Sequence, residues 1–297
     1  YYIDELPLKG EWGEIPNFLC FGYYGGMPKL NLKNPEVANY ITDVACYWIR
    51  ECDIDGWRLD VGDEISHFFW KNFRKAIKAV KKDMLIIGEI WHYAGDFLEG
   101  DEWDTVMNYP FYLNLIDLLA DEKINVSQFV QNLGYLKGRL NKKCYPLMWN
   151  LIDSHDTARF LHLCNDNKKK QHLAAAFQLL LPGMPMIYYG DEYAMPGAND
   201  PDCRRGMYWD EEYQDKEMFE WYKQLLKVRK NHACIVEGEP MEIAARDEEE
   251  TIVLTRKNGE ETLALIFNCS SSARMFNEYA QKYDLLRENP FDGKIEG

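Results

Sequence analysis

The sequence predicts an α/β fold: a partial (β/α)8 TIM barrel over residues 34–233, followed by a small all-β, β-sandwich-like domain over residues 234–297. First, predicted strands and helices alternate at intervals of ~30 residues, as in parallel β/α units. Second, three of the predicted strands each lead to an acidic residue, Asp60, Glu89 or Asp156, at their carboxyl end. Third, the last part changes to short alternating strands, two of which are joined by an Asn258-Gly259 hairpin turn. Residues 1–33, rich in glycine, proline and aromatic residues, are predicted to form a loop-rich segment that leads into the barrel.

The β/α part contains five predicted strands, whereas a closed barrel has eight. These strands cover residues 53–59, 84–88, 105–110, 145–153 and 186–192. We therefore expect this chain to be the later part of a barrel, with the first three strands and any amino-terminal β-domain upstream of Tyr1. An open sheet edge exposes unpaired backbone, so we expect a second copy or a complementing N-terminal segment to cover it.

Helices are predicted between these strands from apolar residues at helical spacing. The first begins at Asn34-Pro35, because Asn is a favoured N-cap and Pro is tolerated at the first helical position. The others cover residues 65–82, 111–142, 169–181 and 216–231. The second helix is predicted to bury Phe68, Phe69, Phe73, Ile77 and Val80.

Composition restricts the partners of the protein. The chain has 49 acidic against 34 basic residues and a net charge of −15, which argues against nucleic acid or anionic membrane and permits a neutral substrate such as a sugar. No apolar run is long enough to span a membrane, and the first residues do not form a signal peptide. The eight cysteines lack metal-binding spacing. They are predicted to be free, mostly buried thiols of a reducing compartment, the cytoplasm.

Asp60, Glu89 and Asp156 each follow a predicted strand. The carboxyl ends of barrel strands carry the chemistry of barrel enzymes, so the three acids suggest one acidic cleft. Retaining glycoside hydrolysis needs a carboxylate nucleophile and a carboxylic acid about 5 Å apart. Arg58 is placed to pair with Asp60, and the apolar neighbours of Glu89 favour the protonated form that a general acid requires.

Two further residues suit a sugar site: His155 could hydrogen-bond a hydroxyl group, and Trp91 could stack on a ring. Each residue also has a structural interpretation. A strand-end aspartate is often a turn former or helix cap, Glu89 could belong to a structural ion pair, and His155-Asp156 could be an N-cap pair. Asp191-Glu192 is most simply a loop-ordering pair, and the lysines of residues 168–170 form a solvated helix start. Because three predicted strands each lead to an acidic residue, we favour the functional interpretation of these residues over the structural one.

The segments Asp55-Gly-Trp-Arg-Leu-Asp60, Gly88-Glu-Ile-Trp91 and Ser154-His-Asp156 resemble three signature regions of the α-amylase superfamily (glycoside hydrolase family 13). The resemblance implies Asp60 as nucleophile, Glu89 as general acid/base and Asp156 as transition-state stabiliser, with Arg58 and His155 as their partners.

Residues 27–31, 107–110, 188–192 and 199–205 are similar to the cyclomaltodextrinase, neopullulanase and maltogenic amylase branch. In that branch, the positions matching Asp200 and Arg204 are implied to contact substrate sugars. The branch usually reads Val-Ala-Asn-Glu after the nucleophile. Here the sequence is Val61-Gly-Asp-Glu64, so Glu64 belongs to a segment expected to affect the acceptor side of the substrate site.

The resemblance implies a retaining hydrolase of α-1,4-glucosidic bonds in cyclodextrins, pullulan or maltooligosaccharides. An α-glucosidase or glucan transglycosylase of the same superfamily, or a non-catalytic amylase-like binding module, are the alternatives. The superfamily's first signature region, a strand ending in Asn-His, is absent, so we expect this chain alone to be inactive or weakly active. No cofactor is required. Some members bind Ca²⁺, but the sequence contains no EF-hand-like oxygen cluster and predicts no metal ligand.

Overall fold

The computed structural model describes residues 8–10 and 13–297. It divides into two compact units. The first comprises the described residues up to Ile90 together with Ala94–Met107, and the second comprises Trp91–Tyr93 and Asn108–Gly297. The predicted boundary at residue 234 falls within the second unit and, like the one at residue 34, stays a prediction.

The first unit contains a parallel sheet and two long helices. Its elements are β1 (Leu8–Gly10), β2 (Gly13–Ile15), α1 (Pro35–Cys52), β3 (Gly56–Leu59), α2 (His67–Val80), β4 (Leu85–Gly88) and β5 (Thr105–Val106). β1 and β2 form an antiparallel pair. β3, β4 and β5 are adjacent in that order and parallel, so the ends of β3 and β4 that precede Asp60 and Glu89 lie at the same edge of the sheet.

α1 begins where the sequence predicts. The Asn34 side chain accepts a hydrogen bond from the backbone N–H of Glu36, and Pro35 occupies the first helical position. The helix ends at Asp53, whose φ of 49° is left-handed. Residues 53–55 therefore terminate the helix, and their prediction as the beginning of a strand was wrong.

α2 also differs in its buried face. It buries Phe69, Trp70, Phe73 and Ile77, whereas Phe68 is 78% exposed and Val80 is 38% exposed. Side chains at i, i+4 and i+8 share one helical face, and the face of 69, 73 and 77 excludes residue 68. The prediction that Phe68 and Val80 point inward was wrong.

The second unit begins with helices and ends in strands. Its helices are α3 (Tyr109–Leu115), α4 (Val126–Arg139), α5 (Phe160–Leu163), α6 (Lys168–Leu180), α7 (Lys216–Asn231) and α8 (Cys234–Glu237). Its strands are β6 (Trp149–Asn150), β7 (Met184–Pro185), β8 (Glu239–Arg246), β9 (Thr251–Asn258), β10 (Glu261–Asn268), β11 (Arg274–Met275), β12 (Tyr283–Asp284), β13 (Asn289–Pro290) and β14 (Lys294–Ile295). β6 and β7 are parallel, and β8, β9 and β10 form an antiparallel sheet.

Two predicted segments of this unit are interrupted. The helix predicted over residues 111–142 is two helices, because a π-helical turn (Ile116–Ala120) follows α3 and Asn125 begins α4 with a capping box. The strand predicted over residues 186–192 is wrong, since β7 ends at Pro185. Gly190, with a φ of 91°, instead leads into a 3-10 turn over Asp191–Tyr193.

Only the central part of the strand predicted over residues 145–153 is extended. Residues Tyr145–Leu147 form a 3-10 turn, and the strand itself covers Trp149–Asn150. The following residues, 151–156, therefore lie in irregular backbone, which places His155 and Asp156 in a turn.

The core of the second unit joins its helices to its antiparallel sheet. Phe177 of α6 stacks on Phe267 of β10 with ring centroids 4.2 Å apart, and Ile252 and Leu265 belong to the same cluster. The order of parallel β/α units followed by an antiparallel β region confirms the predicted fold class. All eight cysteines are free and five are buried. Among the described residues, no helix is both long and apolar enough to cross a membrane.

Candidate active site

Arg58 joins two of the predicted catalytic acids in the first unit. It lies on β3, and Asp60 follows that strand directly. The Nη1 atom of Arg58 is 2.5 Å from Oδ1 of Asp60, and its Nη2 atom is 3.1 Å from Oε2 of Glu89. The Asp60 side chain is 77% exposed, whereas that of Glu89 is 6% exposed. One guanidinium group thus holds an accessible carboxyl group and a buried one close together.

Glu89 has a more polar environment than its sequence neighbours suggest. Its Oε2 atom, which lies 3.1 Å from Nη2 of Arg58, accepts a hydrogen bond from the backbone N–H of Val61 at 2.8 Å. The sequence neighbours of Glu89 do not reveal these polar groups, because both come from another segment. Oε2 lies beside the guanidinium group of Arg58 and the backbone N–H of Val61.

The backbone around these acids is tightly braced. Val61 has a left-handed φ of 43°, which is uncommon for a β-branched residue. The N–H of Gly62 donates to the carbonyl of Glu89 at 3.2 Å, and the N–H of Glu89 donates to the carbonyl of Leu59 at 2.9 Å. These bonds fix the residues that follow β3 to those that follow β4.

Trp103 packs beneath this braced segment, and the sequence reasoning missed it. A Cβ atom added to Gly62 would lie 2.7 Å from the Trp103 indole, and one added to Gly88 would overlap the same ring. Trp103 is 1% exposed and stacks on Phe97 with centroids 4.1 Å apart. Glycine at positions 62 and 88 was the available signal, since glycine permits such close approach.

Glu64 contacts the loop around residues 22–29. It pairs with Lys29, with a distance of 2.6 Å from Nζ to Oε2, and its Oε1 accepts from the backbone N–H of Gly22 at 3.0 Å. The predicted acceptor-side residue therefore anchors the loop around residues 22–29 to the turn after Asp60.

His155 and Asp156 occupy a compact turn of the second unit. The N–H of Ser154 donates to Oγ1 of Thr157 at 2.9 Å, and the N–H of Asp156 donates to Oγ of Ser154 at 3.1 Å. Nε2 of His155 lies 3.1 Å from Oδ2 of Asp156. The two side chains are 40% and 30% exposed, so both remain accessible to a ligand.

Arg204 connects this turn to the loop of residues 197–205. Its Nη2 atom is 3.0 Å from Oδ1 of Asp156, and its Nε atom is 2.9 Å from Oδ1 of Asp200. Nε also donates to the carbonyl of His155 at 2.8 Å. The structure therefore groups His155, Asp156, Asp200 and Arg204 in one cluster of side chains.

Trp91 is held by another aromatic ring. It stacks on Tyr109 with centroids 4.0 Å apart and an interplanar angle of 11°, and it is 40% exposed. Tyr109 is buried and exchanges a 3.0 Å hydrogen bond with Ser154. Trp91 is thereby fixed to the turn that carries His155. In the part of the chain that the structure describes, no three His, Cys, Asp or Glu side chains converge as metal ligands would.

The family model of the alpha-amylase catalytic domain matches residues 11–214. The chain belongs to the alpha-amylase family.

Relatives within the alpha-amylase family cover most of this chain. A cyclomaltodextrinase of Geobacillus thermopakistaniensis (strain MAS1) is 45% identical over 273 residues, which are 92% of this chain and 46% of that protein. An intracellular maltogenic amylase of Bacillus subtilis is 42% identical over 269 residues, 90% of this chain and 45% of that protein. A solved cyclomaltodextrinase superposes with a TM-score of 0.87 at 38% identity, covering 93% of this chain and 47% of that one. The chain spans about half the length of the curated relatives it matches.

Proposed function

We propose that this chain carries the catalytic acids of a retaining glycoside hydrolase that cleaves α-1,4-glucosidic bonds in cyclodextrins, pullulan or maltooligosaccharides. The observation that carries the proposal is the Arg58 bridge between Asp60 and Glu89. A single planar guanidinium group that contacts both carboxyl groups fits the ~5 Å separation of a retaining pair.

In the proposed reaction, the carboxylate of Asp60 attacks the anomeric carbon and forms a covalent glycosyl ester. Its exposure of 77% allows a substrate to reach it, and Arg58 holds it through a charge-assisted hydrogen bond. The glycosidic C–O bond breaks as Glu89 gives its proton to the leaving oxygen. Water then attacks the anomeric carbon of the ester, Glu89 takes the water's proton, and Asp60 leaves as carboxylate.

The contacts of Glu89 indicate which of its oxygens carries the transferred proton. Oε2 accepts a hydrogen bond from the N–H of Val61 and lies 3.1 Å from Nη2 of Arg58. A proton on Oε2 would face these two donors, so we assign the acidic proton to Oε1. The donors also stabilise the carboxylate that forms after transfer.

Asp156 is proposed to stabilise the positive charge of the oxocarbenium-like transition state. His155, Asp200 and Arg204 are proposed to bind sugar hydroxyl groups, and Trp91 to stack on a sugar ring. We propose that Glu64 acts on the acceptor side, by fixing the turn after Asp60 through its bond to Lys29.

The test is reducing-sugar release from β-cyclodextrin, pullulan and starch. We would assay the 297-residue chain, and also a hybrid in which these residues replace the aligned segment of the Geobacillus cyclomaltodextrinase. Release that is faster from cyclodextrin than from starch and is lost in Glu89→Gln is the expected result. No release from a folded hybrid would reject the proposal and favour the binding-module alternative.

We further propose that the protein acts in the cytoplasm. The eight free cysteines are compatible with a reducing compartment, and the Bacillus subtilis relative is named intracellular. Cell fractionation with an antibody against the chain tests this. A homodimer or a complementing N-terminal segment also stays a prediction, which light scattering of the purified protein would check.

A further inference from the structure

A cluster of charged side chains is buried in the second unit. Asp153, Arg159 and Asp191 are each 1% exposed. Nη1 of Arg159 donates to Oδ1 of Asp191 at 3.0 Å, and the N–H of Phe160 donates to Oδ2 of Asp153 at 2.7 Å. Burial of three ionisable groups without solvent is costly unless their charges balance, so this cluster needs an explanation.

The two carboxyl groups of the cluster are close enough that each affects the pKa of the other. Their remaining oxygens, Oδ1 of Asp153 and Oδ2 of Asp191, receive no bond from any donor group among the described residues. Ionised carboxylates only accept hydrogen bonds, so a bond between the two requires a proton. Burial raises the pKa of Asp191 and, together with the neighbouring Asp153, keeps it well above its usual range; burial also raises the pKa of Asp153.

The balance of charges in the cluster also requires one proton on the Asp153–Asp191 pair. Arg159 is the cation that faces the pair. Tyr112 of α3 and Tyr222 of α7 also face it, but burial raises the pKa of both, so they remain neutral. Glu192 is half-buried and accepts from the N–H of Gly190 at 2.8 Å. One proton on the pair leaves one carboxylate, which balances Arg159.

Arg159 ties this neutral cluster to the loop that carries Arg204. Its N–H donates to the carbonyl of Gly197 at 2.9 Å, its Nε to the carbonyl of Cys203 at 3.2 Å, and its Nη1 to the carbonyl of Tyr189 at 2.6 Å. Gly197 and Cys203 are the two ends of the segment that holds Asp200.

The cluster also supports the turn that carries Asp156. Asp153 lies three residues before Asp156, and its carboxyl group fixes the N–H of Phe160 on the other side of that turn. The carbonyl of His155 in turn accepts from Sγ of Cys203 at 3.4 Å. The same buried groups therefore reach both segments that contribute to the Asp156–Arg204 ion pair.

We propose that Asp153 and Asp191 share one buried proton and, together with Arg159, are positioning residues for Asp156 and Arg204. The positioning role rests on the function proposed above, whereas the shared proton is independent of it. Neither carboxyl group is assigned to the reaction itself. They act by holding the groups that would contact the substrate.

The shared proton is tested by urea unfolding between pH 5 and 8. A carboxyl group whose pKa is raised by folding contributes stability below its ordinary pKa, and that contribution is lost as the pH rises toward the folded value. Asp153→Asn places an amide donor where the proton lies and keeps the Asp191–Arg159 pair. Relative to this variant, the unfolding constant of the wild-type chain should rise by about tenfold per pH unit.

Asp117→Asn, at a half-buried acid outside the cluster, is the control and should keep the wild-type pH dependence. Parallel unfolding curves for the wild-type chain and Asp153→Asn across the pH range would overturn the shared proton. This result does not depend on catalysis, so it is separable from failure of the proposed function.

The positioning role is tested by hydrogen exchange in the turn of residues 154–157 and in the loop of residues 197–205. Asp153→Asn should keep wild-type protection there. Asp153→Asn/Asp191→Asn removes the counter-charge of Arg159 and should raise exchange in these segments at least tenfold. The positioning role would be overturned if exchange in the double variant rose uniformly across the second unit, or if it did not exceed the wild-type rate in these two segments. If the double variant does not fold, Arg159→Lys, which keeps the charge and loses the fork of donors, replaces it.

In the hybrid defined above, the double variant should lower kcat more than it raises KM, while Asp153→Asn stays within about threefold of wild type. A hybrid without activity before mutation would reject the proposed function and leave the unfolding and exchange results to decide this inference.

Discussion

The backbone N–H of Val61 donates a 2.8 Å hydrogen bond to Oε2 of Glu89, and Val61 holds a φ of 43° in doing so. A left-handed conformation costs an ordinary L-residue roughly 1–2 kcal/mol. Strained backbone of this kind persists where the surrounding structure fixes it, and it concentrates at functional sites. Val61 follows Asp60 directly, so its conformation links the proposed nucleophile to the proposed acid.

Substitution of Val61 should separate the backbone donor from the side chain. Val61→Gly keeps the N–H and adopts a positive φ without penalty, so sugar release in the active form of the protein should stay within about tenfold of wild type. Val61→Pro removes the donor and fixes φ near −65°, and should lower kcat by about a hundredfold or more. Equal activity of the two variants would show that the hydrogen bond to Glu89 is dispensable.

Trp103 occupies the space that a side chain at Gly62 would need. Gly62→Ala should therefore destabilise the chain by about 1–3 kcal/mol through overpacking. Trp103→Phe removes the ring atoms that a Cβ at residue 62 would meet. In urea unfolding, the double variant should be more stable than the sum of the two single changes predicts. Additive losses would mean that the two residues do not share this space.

Arg204 contacts Asp156, Asp200 and the carbonyl of His155 at once. Arg204→Lys keeps the positive charge but cannot reproduce a planar fork of donors. Loss of one charged hydrogen bond is worth about 1.5–3 kcal/mol, so kcat/KM for maltooligosaccharides should fall roughly ten- to hundredfold. Arg205→Lys is the matched control, because Arg205 lies next to Arg204 in the chain and pairs with Asp202. Equal losses in both variants would assign the effect to the loop in general.

The pH dependence of the 197–205 loop follows from Asp202. Its hydrogen bond with Arg205 lowers the pKa of the Asp202 carboxyl group, and the N–H of Ala198 acts in the same direction. A lowered folded pKa gives stability that is present above the ordinary value and is lost as the pH falls through the folded value. The Ala198 amide should therefore stay protected from hydrogen exchange at pH 4, and Asp202→Asn should lose that protection at pH 4 and pH 7 alike. Loss of protection of the Ala198 amide at pH 4 in the wild-type chain would contradict this prediction.

Local signals in the sequence were sufficient where one segment decides the outcome. Asn34-Pro35 marks the beginning of α1, because capping acts within a few residues. On α2 the apolar spacing identified Phe69, Phe73 and Ile77 as buried but wrongly included Phe68 and Val80. The same signals erred at Asp53 and at residues 186–192. There, left-handed backbone at Asp53 and Gly190 ends the regular pattern, and alternation of apolar residues does not reveal φ.

The sequence by itself determined the family, the order of β/α units and β region, and the acids at residues 60, 89 and 156, because these depend on residue type and spacing along the chain. Only the tertiary structure decided which donors reach Glu89, what occupies the space beside Gly62, and how Asp153 meets Asp191. Each of these joins residues that are at least 28 positions apart. Hydrogen bonding, close packing and the sharing of a buried proton depend on distances in space, which separation along the chain does not specify.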